Sequence, residues 1–382
     1  MRQRGIPAVF MRGGTSKAII FHQSDLPADR AAWDAIFAAA MGSPDPYGRQ
    51  LNGMGGGVSS LSKVCVIAKS AREDADIDYT FAQIGIKDTR VDYKGNCGNM
   101  SSAVGPFAVD EGIVPVAADA TQTTVRIFNT NTGKIIHSTF AVQDGAARYD
   151  GDCVIPGVGG SGSAIRLDFV NPGGATTGKL LPSGNVRDVL EIEGFGSIEA
   201  SLVDAGNATV FVRAADLGLS GTEMPEALEA RPDILALLDA IRVQGSIRMG
   251  IADSVEAARK IRTVPYVGFV AAPADGVSLT GEAVPSSAVD LLGRVISNGQ
   301  PHRALPLTAS LCLAVAARIG GTIVADCLTA APADRIRIGM PSGILEVDAI
   351  VSQTGGIWTA HSGAYLRTAR RLFDGKVYPA VG

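Results

Sequence analysis

Apolar residues along the chain gather in short runs closed by Gly, Asn, Asp or Pro, the pattern of β-strands joined by tight turns. On this ground residues 6–11, 17–21, 63–68, 77–83, 125–128, 135–142, 198–203, 210–212, 264–270, 323–325 and 345–351 are predicted strands. The helical period is rarer. Residues 28–41 place Trp33, Ile36, Phe37 and Met41 on one face, and 225–238 and 255–261 are amphipathic in the same way. Residues 100–109 and 308–319 differ, because small and apolar side chains cover every side, and a helix that is apolar all round is a buried helix.

Each buried helix is followed by the glycine-led start of a β-type run, Glu111-Gly112-Ile113-Val114 and Gly321-Thr322-Ile323-Val324, which predicts two similar folding units. The expected fold is α+β, with two similar domains, each a curled, barrel-like antiparallel sheet around one central helix. A length of 382 residues agrees with two domains. The Gly-, Pro- and Ser-rich stretch 171–185 reads as a linker, so the domains are expected over 1–184 and 185–382, with a return of the last strand to the first domain left open.

Composition narrows the class. Hydrophobic residues make up 46% and charged residues 19%, as in a soluble globular protein, and 46 glycines reinforce the turn-rich β reading. The net charge of -4, from 34 basic and 38 acidic residues, offers no basic field to nucleic acid or anionic lipid. Cys65, Cys97, Cys153, Cys312 and Cys327 are odd in number and lack any Cys-x-x-Cys, which argues against a disulfide framework and for a reducing compartment. Without a signal-type apolar stretch or a span-length segment, the expected location is the cytoplasm. His22, His137, His302 and His361 are scattered, with no clustered carboxylates, so no metal site is expected.

Candidate chemistry centres on Gly95-Asn96-Cys97-Gly98-Asn99-Met100. The glycines and asparagines favour a turn, and the small residues after them start a buried helix, so Cys97 is expected at a helix N-terminus. Free backbone N–H groups and the helix dipole favour a thiolate there. Cys65, Cys312 and Cys327 lie in apolar runs and read as core residues. Lys63 opens an apolar strand run, which fits either a partly desolvated acid–base group or an ordinary solvated strand-end lysine. Arg12-Gly13-Gly14-Thr15-Ser16-Lys17 offers a guanidinium, two hydroxyls and an ammonium in one turn, suited to a carboxylate or equally to a plain hairpin. The glycine-rich run from Asn52 lacks both the preceding strand and the Lys-Ser/Thr ending of a nucleotide loop. His302 and Arg303 precede the second buried helix, where they serve either a cleft or simple capping.

With these strings in view the chain resembles the PrpF family of methylaconitate isomerases, methylitaconate isomerases and oxalomesaconate tautomerases. The resemblance covers nearly the whole sequence, including Thr177-Gly178-Lys179, Val203-Asp204-Ala205-Gly206-Asn207, His302-Arg303-Ala304 and Arg367-Thr368-Ala369-Arg370-Arg371. It implies a diaminopimelate-epimerase-like fold, a homodimer, no cofactor and a small polycarboxylate substrate. It also implies that Cys97 and Lys63, which stands 34 residues earlier, exchange protons with the two ends of an allylic unit. The matching reaction is a 1,3-allylic proton transfer on a small unsaturated di- or tricarboxylate such as 2-methylaconitate, aconitate or methylitaconate. The alternatives are 4-oxalomesaconate tautomerisation, or racemisation or epimerisation of an amino acid on the same fold.

Substrate binding is expected from Arg12, Thr15, Ser16, Lys17, Asn96, Gly98 and Asn99 in the first half, and from Asn207, His302, Arg303, Thr308 and Ser310 in the second. One departure from the parent fold stands out. Two-base epimerases carry a cysteine at the tip of each central helix, whereas here Cys312 lies a turn inside the second helix, which disfavours racemisation by two thiols.

Overall fold

The computed structural model describes residues 4–330 and 335–380. The chain forms two units, one holding residues up to Asp168 together with those from Leu366 onward, the other spanning Phe169–Tyr365.

In the first unit Ile6–Gly13 and Ser16–His22 form an antiparallel hairpin. The ladder continues parallel to Lys63–Lys69, antiparallel to Ile77–Ile84, parallel to Gln122–Asn129 and antiparallel to Lys134–Gln143. Ala369–Val377 returns to pair antiparallel with Ile6–Gly13. In the second unit Gly196–Ala205 pairs antiparallel with Asn207–Arg213, which runs parallel to Tyr266–Ala271. Leu291–Ser297 follows antiparallel, Arg335–Met340 parallel and Gly343–Thr354 antiparallel. The alternation of pairing sense is therefore the same in both units.

A parallel step needs a crossover, and each crossover carries a helix. The first step encloses Trp33–Met41 in one unit and Pro232–Arg248 in the other. The second encloses Gly98–Asp110 and Leu307–Ala316, the two helices expected to be buried, and nearly every residue of both is. Each sheet thus lies between an outer amphipathic helix and an inner apolar one. In the first unit Phe10, Ile19, Phe21, Val64 and Val66 pack with Trp33, Phe37 and Met41 on the outer side. The alternate residues, among them Met11, Ile20, Cys65 and Tyr79, are buried on the other side.

Several expectations need correction. Residues 171–185 are not a linker, and the chain changes unit at Asp168/Phe169. Asp204 holds that stretch on the second unit: its main chain bonds Gly174 and Leu180, and its carboxylate accepts from Thr176 N at 2.8 Å and from Thr177 Oγ1 at 2.8 Å. Residues 113–114 start no strand, because Val114 N turns back to the helix carbonyl of Ala108. Ile323–Asp326 is a short helix, since the Thr322 hydroxyl accepts from Ala325 N and caps it against the β-preference of Ile and Val. Residues 225–238 form two helices, Pro225–Glu229 and Pro232–Arg248, because Pro232 lacks an N–H and takes the first position of the second. Among the described residues no helix is long and apolar enough to cross a membrane.

Candidate active site

Cys97 is the N-cap of the inner helix of the first unit, with extended backbone angles (φ -109°, ψ 94°) and no side-chain cap hydrogen bond. Its carbonyl oxygen accepts from Ser101 N at 3.0 Å and Ser101 Oγ at 3.1 Å. The main chain is therefore gripped, while the thiol lies at the positive end of the helix. The cap is buried, and Gly98 begins the helix with no side chain between the thiol and the first free amides.

The hairpin turn of residues 13–16 packs directly on this helix tip. A Cβ on Gly13 would sit 2.6 Å from the Asn99 carbonyl oxygen, and one on Gly14 (φ +51°) would overlap the Asn99 side chain. Asn99 then ties the two parts together, Nδ2 donating to Thr15 Oγ1 at 3.1 Å and Oδ1 accepting from Thr15 N at 3.4 Å. Ser16 pairs with Gly13 and is buried on the same side. Asn96 accepts at Oδ1 from Asn129 Nδ2 at 3.2 Å, and Asn129 is itself fixed by Thr132.

Strand pleating decides what faces the helix from below. Lys63, Cys65 and Ile67 oppose Gln83, Phe81 and Tyr79 in register, and directly opposed residues share a face. Lys63 is buried, its Nζ donating to Gln83 Oε1 at 2.6 Å and lying 5.0 Å from the centre of the Phe81 ring. Burial pushes the Cys65 thiol well above its usual range, the charge of Cys97 pushes it further, and a hydrogen bond with Tyr79 and the Lys63 ammonium oppose the rise. Cys97 and Lys63 therefore both lie within electrostatic reach of one buried thiol. The Tyr79 hydroxyl is likewise raised, first by burial, and bonds Cys65 and Ser101.

The same pleat separates two other candidates. Arg12 and Lys17 oppose each other on the face of Phe10 and Ile19, away from the inner helix. Arg12 braces the turn, donating to Gly14 O at 3.0 Å and to Thr368 O at 2.9 Å, and burial followed by Arg370 lowers its pKa. Lys17 lies 5.6 Å from the Phe10 ring centre.

In the second unit Asn207 donates to the Tyr266 hydroxyl at 3.2 Å, and His302 Nε2 lies 2.6 Å from Ser297 Oγ, its ring steeply inclined to that of Tyr266. Thr308 is buried in the first turn of the inner helix beside Gly206. Ser310 spends its hydroxyl on Pro306 O at 3.1 Å, and Arg303 pairs with Glu226 at 2.8 Å with both side chains largely exposed. Cys312 is a core residue, its thiol donating to Val203 O at 3.2 Å and pushed up to about 12 by burial. No group of three or more metal-ligating side chains occurs among the described residues.

Sequence reasoning did not reach Gln83, Tyr79 or Tyr266, whose roles depend on which strand lies opposite. Arg367 is a further side chain near the turn that the sequence does not single out. It is buried, and its Cδ lies 3.1 Å from where a Gly14 Cβ would stand, beside Asn99.

A family model described as PrpF protein matches residues 3–380. A 3-methylitaconate isomerase of Eubacterium barkeri is 42% identical over 98% of this chain and 97% of its own length. A 2-methyl-aconitate isomerase of Shewanella oneidensis is 38% identical over 97% of this chain and 96% of its own. The crystal structure of a methylitaconate-delta-isomerase superposes with a TM-score of 0.80 at 42% identity, covering 100% of this chain and 98% of that one.

Proposed function

The chain belongs to the PrpF family, and we propose from that premise that it is a cytoplasmic, homodimeric, cofactor-independent isomerase of small unsaturated di- or tricarboxylates. The reaction is a 1,3-allylic proton transfer. Removing a C–H proton next to a carbon–carbon double bond conjugated to a carboxylate gives a dienolate, and returning a proton two carbons away completes the shift. Cys97 and Lys63 are the pair that removes one proton and supplies the other. Asn99, Thr15, Ser16, Asn96 and the amides from Gly98 onward take the carboxylates and the developing charge.

The observation that carries this reading is the placement of Cys97 as a cap whose thiol is unspent, above a strand face that begins with Lys63. Methylitaconate or 2-methylaconitate is favoured as substrate by the activities named for the relatives. Racemisation by two thiols is disfavoured, because Cys312 is bonded to a main-chain carbonyl inside the core.

The test is turnover of methylitaconate and of trans-aconitate in deuterated water by the full chain, Cys97→Ser and Lys63→Met. One solvent deuteron at the new C–H per turnover, lost in both variants, is expected. Full exchange at both allylic carbons in either variant would sink the two-residue mechanism, and exchange only at an amino-acid α-carbon would sink the isomerase itself. Sedimentation of the wild type checks the dimer.

A further inference from the structure

We propose that Gln83 is a positioning residue that sets how tightly Lys63 holds its proton, an assignment that rests on Lys63 being one of the acid–base pair. The orientation of the Gln83 amide is determined on both sides. Nε2 donates to Ser59 O at 3.0 Å and to Ser62 O at 2.9 Å, so it is Oε1 that meets Lys63 Nζ at 2.6 Å. Both carbonyls belong to the turn that leads directly into the lysine's own strand, and Gln83 opposes Lys63 in the ladder. Lysine and acceptor are therefore held by one piece of backbone.

The remaining surroundings are mostly uncharged. The Phe81 ring lies near the ammonium, Ala18 is the partner on the parallel side, and the Cys65 thiol, which feels both Lys63 and Cys97, is two residues along. Asp92 opposes Gln83 on the next short strand, and its carboxylate accepts from Lys94 N at 2.8 Å. The group that touches the ammonium is thus a neutral amide oxygen and not a carboxylate. An amide oxygen aims the ammonium through one hydrogen bond, whereas a full negative charge at the same distance favours the protonated form by about 1–3 pH units. A lysine that must lose and regain a proton in every turnover needs aim without that hold.

Gln83→Glu and Gln83→Met separate the two effects. The limb of the pH–rate profile set by Lys63, followed with methylitaconate as the probe, is expected to move to higher pH by about one unit or more in Gln83→Glu. It is expected to move to lower pH in Gln83→Met, where the acceptor is gone and the site is drier. Profiles that superpose on wild type, or that move in the same direction, would overturn the assignment. Should Gln83→Glu fail to fold, Gln83→Met decides alone, by an acid-ward shift or by its absence. Lys63→Met is run beside them: an active Lys63→Met defeats the acid–base reading, whereas an inactive one with unmoved Gln83 profiles defeats only the role given to Gln83.

Discussion

The Ser101 hydroxyl donates to the carbonyl oxygen of Cys97 at 3.1 Å, so the residue that caps the buried helix is fixed through its main chain and not through its thiol. This separates stability from chemistry at one position. Main-chain bonding survives any substitution of the side chain, while the group proposed to move protons does not.

Cys97→Ser is accordingly expected to melt within about 1 kcal/mol of wild type, the range of a substitution that breaks no structural contact. Its rate should fall by roughly 10²–10⁴, the usual worth of one positioned acid–base group. Thermal melts and deuterium incorporation measured on the same preparation check both halves. A large loss of stability would mean that the thiol is structural.

Gly14→Ala tests the contact between turn and helix. Gly14 has φ +51° and no room beyond its hydrogen, because Asn99 occupies the space of a Cβ. The cost combines left-handed strain with displacement of Asn99 from Thr15, about 1–3 kcal/mol together. Gly133, at φ +67° with nothing within 4 Å of its Cβ position, is the control, since alanine there meets the strain alone. Gly14→Ala should also raise KM more than it lowers kcat, and equal melting temperatures for the two variants would count against the Asn99 contact.

Alkylation separates the thiols. Burial pushes Cys65 and Cys312 up, Cys312 to about 12, and both side chains are enclosed. Since the thiolate is the reacting form, neither should be labelled by iodoacetamide in the native protein at pH 8, and both should be labelled in denaturant. Peptide mapping reads this directly. Cys97 should be labelled in the native state and protected by a dicarboxylate.

Local patterns made part of this architecture legible and left another part hidden. The Gly-Asn turn before small residues announced both the Cys97 cap and a helix buried on all sides, because those are properties of a single segment. The repeat was announced for the wrong reason: the β-type runs after Gly112 and Gly321 form no strands, and the likeness lies in the order of parallel and antiparallel pairs, which no single segment records. Register is the common cause of the remaining misses. It places Gln83 against Lys63, and it turns Arg12 and Lys17 to the outer face although they share a turn with Thr15 and Ser16. Arg303 stands near a helix start as a binding group would, yet its partner Glu226 is supplied only by tertiary folding, while the Ser310 hydroxyl is taken by Pro306 O one turn back in its own helix.

The far end of the first inner helix predicts an acid limit to stability. Glu111 is its C-cap, a position where the helix dipole disfavours a negative charge, yet its carboxylate accepts from His22 Nε2 at 3.0 Å and from Arg371. Burial alone would raise its pKa, but those two partners together outweigh burial and hold it below the ordinary value of 4.5. A carboxyl whose folded pKa lies below its unfolded one stabilises fully above the unfolded pKa, and that contribution disappears as pH falls through the folded value. Wild type should therefore lose stability below about pH 4.5, and Glu111→Gln should lack this share of the loss. At pH 7 the variant is expected to be less stable by about 1–2 kcal/mol, the worth of charge-assisted hydrogen bonds left unmade. Thermal melts of both proteins at pH 7, 5 and 4 subtract the other carboxylates, Asp76 and Asp290 among them, which Arg126 and Arg337 hold low in the same sense. The gap between wild type and variant must narrow as the pH is lowered, and a gap that stayed constant would show that Glu111 is not the group being titrated.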